Sequence, residues 1–536
     1  MFLKKLLCLI LSISLLLLAG CGDDGKKVDK DEDDKVNIES ADLKDTMNLL
    51  FCNSDTLNPY IAETEINRQL CRLIFDPLVK TDNEFNAKYC LAKSVEVQGN
   101  ECAVNIIDAS FSDGANLTAA DVVYSFNLAK NSATSYAYKL YNVASAVAID
   151  SKTVKFSLIK SDPYCENILD FPILKTDSDK RTDSDGVILP SIGCGRYAAT
   201  DDYSKLILNE KYYGKKGSIK TIRLENAPDT ESISHYIEIG AADMYYTDIS
   251  DGDIIRMSAL KYNINLNNLV YIGINGNYPL LKNTDIRYAI SSALNRKSIC
   301  SKAYYNNAIA ATGFFNPLWK ETSSVQNIQS EANLQITVEN LSEIGYNSQD
   351  AEGYYINSHG NRIDLTLLVN SDNAMRVSAA KEIANQLKNA GISITVIEKS
   401  YEAYLAALKS GNFQLYLGEV NITPNMDMTN LVTPGTAASY GVVSPVVDAQ
   451  PSDEEGEVTQ ESTVTVAANA LSIINGFYSG VNTVTDVATV LQTEMPMIPV
   501  CYRTGVLFCD ENIENVENSS ASDIYFSIES YLIKEK

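Results

Sequence analysis

Histidine is nearly absent from this chain: His235 and His359 are the only two among 536 residues. A zinc hydrolase with two or three histidine ligands is thereby excluded, and HExxH does not occur. Ser/His/Asp chemistry would have to draw on one of these two, and His235 falls in a helical stretch, Glu231–Ile239, where a structural role is expected. Basic residues are also scarce. Lys and Arg total 44 against 69 Asp and Glu, a formal net charge of −25. Nucleic acid is therefore not an expected partner, because phosphate binding needs cations to displace counterions. Neither GxSxG nor GxxxxGK[ST] nor CxxC occurs, which removes several hydrolase, nucleotide, redox and zinc-knuckle readings. Residues 193–198 (GCGRYA) formally fit GxGxxA, but the residues that follow read as a hairpin rather than a helix, so no dinucleotide site is expected. Asp183-Ser-Asp185-Gly186 reads as a turn, since Arg181 would oppose a calcium ion there. No catalytic residue, cofactor or metal site is expected.

What is present begins with an address. Lys4 and Lys5 precede an uncharged run, Leu6–Ala19, of 14 residues. That is shorter than the ~20 residues of a transmembrane helix and matches the apolar core of a secretory signal. Leu18-Ala19-Gly20-Cys21 then resembles the bacterial lipoprotein motif, which implies a signal peptide over 1–20, lipidation at Cys21 and a place on the outer face of the cell membrane. Residues 21–45 follow as an acidic tether. Between 22 and 45 there are ten acidic residues, five lysines and no aromatic, too little apolar surface to fold. Such a coil spans roughly 25–30 Å. A second acidic stretch, 446–462, carries six acids and no base and reads as an exposed loop insertion.

Nine cysteines remain after Cys8 and Cys21. Most sit in apolar settings and read as small buried hydrophobes; Cys90–Cys102 and Cys501–Cys509 are left open as local bridges. Tyrosine is abundant at 31 residues, a type that suits a recognition cleft.

Several elements are legible. A helix is expected from Thr118, its N-cap, through Lys130. Further helices are expected over 285–294 and 376–390, the latter closed by Gly391. A strand over 392–398, a helix over 401–410 and a strand over 413–417 imply parallel strands joined by a crossover. A ligand cleft lies beyond the carboxyl ends of such strands, which makes Gly418-Glu419-Val420-Asn421 a candidate on physical grounds.

Residues 111–126 (FSDGANLTAADVVYSF) closely resemble the F-x-DG-x-x-LTA-x-DVVYSF signature of family 5 extracellular solute-binding proteins, the oligopeptide, dipeptide and nickel-binding class of ABC importers. Other segments are similar to that family's motifs in the same order: Leu57-Asn58-Pro59, 73–78 (LIFDPL), 193–197 (GCGRY), 209–213 (NEKYY), 240–244 (GAADM), 285–296, 390–392, 410–413 and 494–499. The resemblance implies an α/β fold, a two-lobe periplasmic-binding-protein-like clamshell (type II, cluster C) with an extra domain inserted in lobe 1. Lobe 1 would be 46–80, 190–270 and 495–536. The inserted domain would be 81–189 and lobe 2 would be 271–494, with a hinge near Val270–Asn275.

The function implied is capture of oligopeptides or a similar small solute between the lobes, without catalysis, and delivery to an ABC permease and its ATPase by a lipid-anchored monomer. A surface lipoprotein of the same fold acting as a peptide-signal sensor is the alternative; a secreted hydrolase is disfavoured by the missing motifs. Matched positions place ligand contacts at Ala62 and Glu63, at Tyr245, Tyr246 and Thr247, and at Tyr401, beside Gly418, Glu419 and Asn421. Peptide binders of the family often read GW-x-x-D where this chain has Gly418–Ile422. Glu419 replaces the Trp, and Ile422 replaces the Asp that anchors a peptide amine. Glu419 is thus expected to pair with a cationic group, and Asp427 lies further along.

Overall fold

Two strands of unusual length, Leu260–Ile274 and Met497–Cys509, pair antiparallel along most of their length and run through the middle of the molecule. The computed structural model describes residues 43–227, 230–252, 257–442 and 467–535. The signal motif with Cys21, the tether before Leu43 and the acidic stretch 446–462 lie outside the described residues.

Apart from Ala308–Ala310, which pairs with Cys501–Arg503, every other strand of the large mixed sheet joins one end or the other of this central pair. On one side, Met497–Cys509 pairs through Val506–Cys509 with Met244–Thr247, which leads to Thr46–Phe51, Thr221–Asn226, Lys205–Leu208 and Tyr197–Ala199. On the other side, Asn268–Ile274 pairs with Leu415–Asn421, then Asp364–Asn370 and Ser393–Lys399. The pairing of the central strands slips between Asn265 and Leu269, and again between Val270 and Tyr271. The chain thus forms two lobes that share only these strands as continuous sheet.

A separate four-stranded antiparallel sheet, in the order Ala92–Gln98, Glu101–Ile106, Thr153–Leu158, Val143–Ala148, carries the helix Ala119–Lys130. Phe126, Phe156 and Phe171 pack edge to face between them, an arrangement worth more than area burial alone. This sheet's loops touch the second lobe. Asn425 donates to Asp162 at 2.6 Å, Asn167 donates to the Pro424 carbonyl at 3.0 Å, and the Tyr164 ring lies against both Trp319 and Phe477.

The helices expected over 118–130, 285–294, 376–390 and 401–410 appear as Ala119–Lys130, Thr284–Ser292, Ala374–Asn389 and Tyr401–Lys409. Ser393–Lys399 and Leu415–Asn421 both run parallel to Asp364–Asn370, which lies between them. The last strand extends four residues past the expected end, because Gly418–Asn421 continue to pair with Asn268–Tyr271. Leu43 and Lys44, placed with the tether by composition, pair with Lys534 and Ile533. All nine cysteines are free thiols. Cys501 and Cys509 share one strand, where eight residues span about 26 Å and no bridge can form; Cys90 and Cys102 are likewise unbonded.

The segments that carry the family resemblance turn out to be framework. Asp121 accepts from the Thr118 backbone and hydroxyl at the helix start and from the Thr176 backbone and hydroxyl through its other oxygen. Gly193 and Gly195 pass so close to the Ile74 backbone that neither position has room for a Cβ. Arg287 and Arg296 are buried and bind neutral acceptors. Arg287 donates to the carbonyls of Leu281, Lys282 and Glu494; Arg296 donates to Pro499, Ser291 and Gln329 carbonyls and to the Ser291 hydroxyl. Burial pulls both guanidinium groups down to about 10, so both stay charged at neutral pH. They fasten the helices of the second lobe to the start of a central strand. Arg296→Met should cost about 3 kcal/mol or more, because three carbonyls and a hydroxyl lose their donor in the interior. Urea unfolding at neutral pH measures this; a loss below about 1 kcal/mol would show that the guanidinium is not the fastener.

Candidate functional site

The lobes face each other across a cavity of about 390 Å³. One wall is built by the helix Glu65–Ile74. Thr64 caps it, and Asp55 fixes Thr64 by accepting from its backbone and hydroxyl at 2.8 and 2.6 Å. Leu70, Cys71, Leu73 and Ile74 are buried. Glu65, Arg68, Gln69 and Arg72 recur at i, i+3, i+4 and i+7, which is one helical face, and all four line the cavity. Beside them stand Tyr136 and Lys139 of the short helix Ser135–Lys139, Tyr246, and the hydroxyls of Ser520 and Ser522.

The opposite wall is made of side-chain amides. Asn265, Asn267 and Asn268 from the irregular part of a central strand, and Asn421 with Ile422 from the strand beside it, complete the lining. Asn265 donates to the Asn83 carbonyl at 3.0 Å and Asn267 to the Ile422 carbonyl at 3.1 Å; Asn421 donates to Asn268 Oδ1. Amides offer donors and acceptors at once, which is what a peptide backbone needs.

Behind this wall lies a charge knot. Glu419 has a side chain only 7% exposed. It accepts from Arg503 Nε at 2.7 Å, from Arg376 Nη2 at 2.9 Å and from Asn268 Nδ2 at 2.9 Å. Arg503 donates onward to the Asp248 carbonyl at 2.7 Å, on the loop leaving the first lobe's strand Met244–Thr247. Burial alone would push the Glu419 carboxyl up; Arg503 and Arg376 outweigh it and hold the group below the usual carboxylate range. The cationic partner expected for Glu419 is therefore within this chain, and no free acid stands at that point of the wall.

The other expected contacts are dispersed. Tyr246 and Asn421 line the cavity. Tyr245 faces a smaller crevice beside Leu50 and Ile66, and the Thr247 hydroxyl accepts from the Ile249 backbone. Ala62 is buried, and the backbone of Glu63 donates to Asp55, so both belong to the helix entry. Gly418 lies against the rings of Tyr271 and Tyr416. Tyr401 is 54% exposed at its helix start, outside the cavity lining, as is Asp427. The residues missed from the sequence were visible as patterns: the polar stripe Glu65, Arg68, Gln69, Arg72, and the alternation Asn263-Ile264-Asn265-Leu266-Asn267 in a strand.

A second cavity of about 390 Å³ lies within the second lobe, among the helices Thr284–Ser292, Leu334–Glu343 and Val484–Glu494. No charged side chain lines it, and its polar groups serve the lobe itself: Gln492 accepts from the Asn327 backbone, and Tyr288 donates to the carbonyls of Gln492 and Thr493. The interlobe cavity is the better candidate, because, unlike the second, it combines charges of both signs with walls from both lobes.

Glu419→Gln keeps the shape of the knot and removes its charge. Two arginines then lose the carboxylate they both contact, and stability at pH 7 should fall by about 3 kcal/mol or more. A free glutamate titrates near pH ~4.3, and the folded value is lower, so the wild-type advantage is complete above about pH 4.3 and fades as pH falls through the folded value. Denaturant unfolding of both proteins at neutral pH and near pH ~3 checks this; a deficit of equal size at both would contradict the charge knot.

The family described as bacterial extracellular solute-binding proteins, family 5 middle, matches residues 88–441. The oligopeptide-binding protein AppA of Bacillus subtilis is 23% identical over 388 residues, covering 66% of this chain and 69% of AppA. Against a putative ABC transporter peptide-binding protein of Brucella ovis the identity is 25%, and the chain spans about half of that relative's length, 47%. Among solved structures, the murein tripeptide binding protein MppA in its unliganded open form has a TM-score of 0.70 at 16% identity, covering 92% of this chain and 98% of that one. NikA of Brucella suis with Fe(III)-EDTA has a TM-score of 0.64 at 16% identity, covering 91% and 100%. At these identities the structural likeness is one of fold. Among the described residues no helix is long and apolar enough to cross a membrane. The chain belongs to family 5 of the bacterial extracellular solute-binding proteins, non-enzymatic substrate-binding components of ABC transporters.

Proposed function

We propose that this chain captures oligopeptides or chemically similar small solutes between its two lobes and hands them to an ABC permease, held to the outer face of the cell membrane by a lipid on Cys21. The observation that carries the reading is the cavity lined from both lobes: the charged helical face and the pivot-strand asparagines Asn265, Asn267 and Asn268 belong to the first, and Asn421, Ile422 and Pro424 to the second. A ligand touching both walls favours the closed arrangement by the contacts that exist only there. The asparagine amides suit a peptide's repeating donors and acceptors, whatever its side chains.

In this reading the first lobe is 46–80, 190–270 and 495–536, the inserted domain 81–189 and the second lobe 271–494. The pivot is the irregular pairing of the central strands between Asn265 and Tyr271, next to the expected 270–275. Of the residues expected at the site, Tyr246 and Asn421 would touch ligand, while Glu419 would act through Asn268 and the strand geometry. Peptide-binding and glutathione-binding names among the relatives support the solute class.

Small-angle scattering on protein first stripped of ligand by unfolding and refolding is the direct test. A pool of short peptides should reduce the radius of gyration, and native mass spectrometry of the same sample should show one bound peptide per chain. A bound peptide with an unchanged radius would contradict capture by closure.

A further inference from the structure

The charges at one end of the interlobe cavity do not balance. Lys139 Nζ lies 2.5 Å from Asp170 Oδ2, and Arg72 Nη2 lies 3.6 Å from the same oxygen. Arg72 also donates to the Asp170 carbonyl at 2.8 Å. Two cations therefore share one carboxylate. Asp170 is 2% exposed and its Oδ1 is enclosed without a partner, so it turns no oxygen toward the cavity. Arg72 and Lys139 do line the cavity, with side chains 9% and 16% exposed. The Tyr136 ring sits 5.5 Å from the Arg72 guanidinium and 5.4 Å from Lys139 Nζ, which eases the crowding of cations but supplies no countercharge.

The other charges of the cavity are matched. Arg68 pairs with Glu65 and Asp82 with Lys88. At the far end, Arg376 and Arg503 meet Glu419 and the field of Asp248, two cations with two carboxylates. Among these contacts one cation more than carboxylate stands at the Arg72–Lys139 end; Asp523, paired with Lys80, adds its field at Arg72 without touching it. A partly desolvated charge without a partner is costly, and an incoming anion removes that cost. Where Ile422 stands there is no acid; Asp248 also lines the cavity, where its carboxylate accepts from the Ser250 backbone and its field falls on Arg503.

We infer that the ligand is held by a carboxylate against Lys139 and Arg72, and that it needs no free amine: the substrate class is peptides and peptide-like acids read from their acidic end, N-blocked ones included. This rests on the peptide-capture reading above for the word peptide, and on the charge balance for the word acid. Lys139 is the specificity residue, since it carries the flexible ammonium, while Arg72 is also tied to the Asp170 backbone.

Titration calorimetry of the full chain against one tripeptide pool in four forms (free, N-acetylated, C-amidated and blocked at both ends) tests it. N-acetylation should change affinity by less than about threefold, and amidation should weaken it by about tenfold or more, as expected for loss of a charge-assisted bond. Lys139→Gln should weaken the free pool about as much as amidation does and leave the amidated pool unchanged; Lys139→Arg should restore binding. Amidated peptides binding as tightly as free ones, or N-acetylation abolishing binding, would overturn the inference while leaving peptide capture standing. A parallel titration with N-acetyl amino acids and glutarate separates the two claims: binding of these but of no peptide would uphold the carboxylate anchor and refute the peptide reading. Binding of neither class refutes both. The four-pool comparison uses the wild-type chain alone, so it decides the matter even if a variant fails to fold.

Discussion

One glutamate gripped by two arginines fixes how the halves of this molecule meet. Glu419 lies on the second lobe's strand next to the central pair, Arg376 on a helix of that lobe, and Arg503 on a central strand that also reaches the first lobe. Because Arg503 continues to the Asp248 carbonyl, the knot ties the pivot region to both bodies. Ion pairs this deep contribute little net stability over apolar packing, but they penalise any arrangement that separates their members. Their value here is geometric: they define the floor against which Asn268 and Asn421 are presented.

The same knot alters what the cleft can recognise. A buried carboxylate that already accepts from two guanidinium groups and an amide is not offered to the cavity, whose lining is instead the asparagines and the charged residues opposite. The cavity is asymmetric as a result. One wall is neutral and tolerant of sequence; the other carries Arg72 and Lys139 over a single buried aspartate.

Much of the fold was legible because it is written in local chemistry. The Thr118–Asp121 capping pair, Gly391 after its helix, and the alternation in 392–398 each declare an element without reference to anything distant. The site was less legible, for physical reasons. Its lining comes from segments more than 400 residues apart, Glu65 to Ser522, and only the two central strands bring them together. Matching motifs to positions pointed at Ala62, Glu63 and Tyr401, which serve the helix entry or face away from the cavity. The stripe Glu65, Arg68, Gln69, Arg72 was readable as helical periodicity, yet nothing local says that its polar face meets another lobe rather than solvent. Conversely, the segments that most resemble the family, including Asp121, Gly193 and Arg296, proved to be joints and fasteners. They report the fold faithfully and say little about the solute.

Hydrogen exchange measured by mass spectrometry, with and without a peptide pool, tests the central claim most directly. Capture between the lobes predicts that backbone amides of 65–72 and 136–139 on one wall, and of 265–268 and 421–422 on the other, become protected together at the same peptide concentration. Protection confined to one wall, or centred on 325–340 and 489–495 in the second lobe, would contradict it.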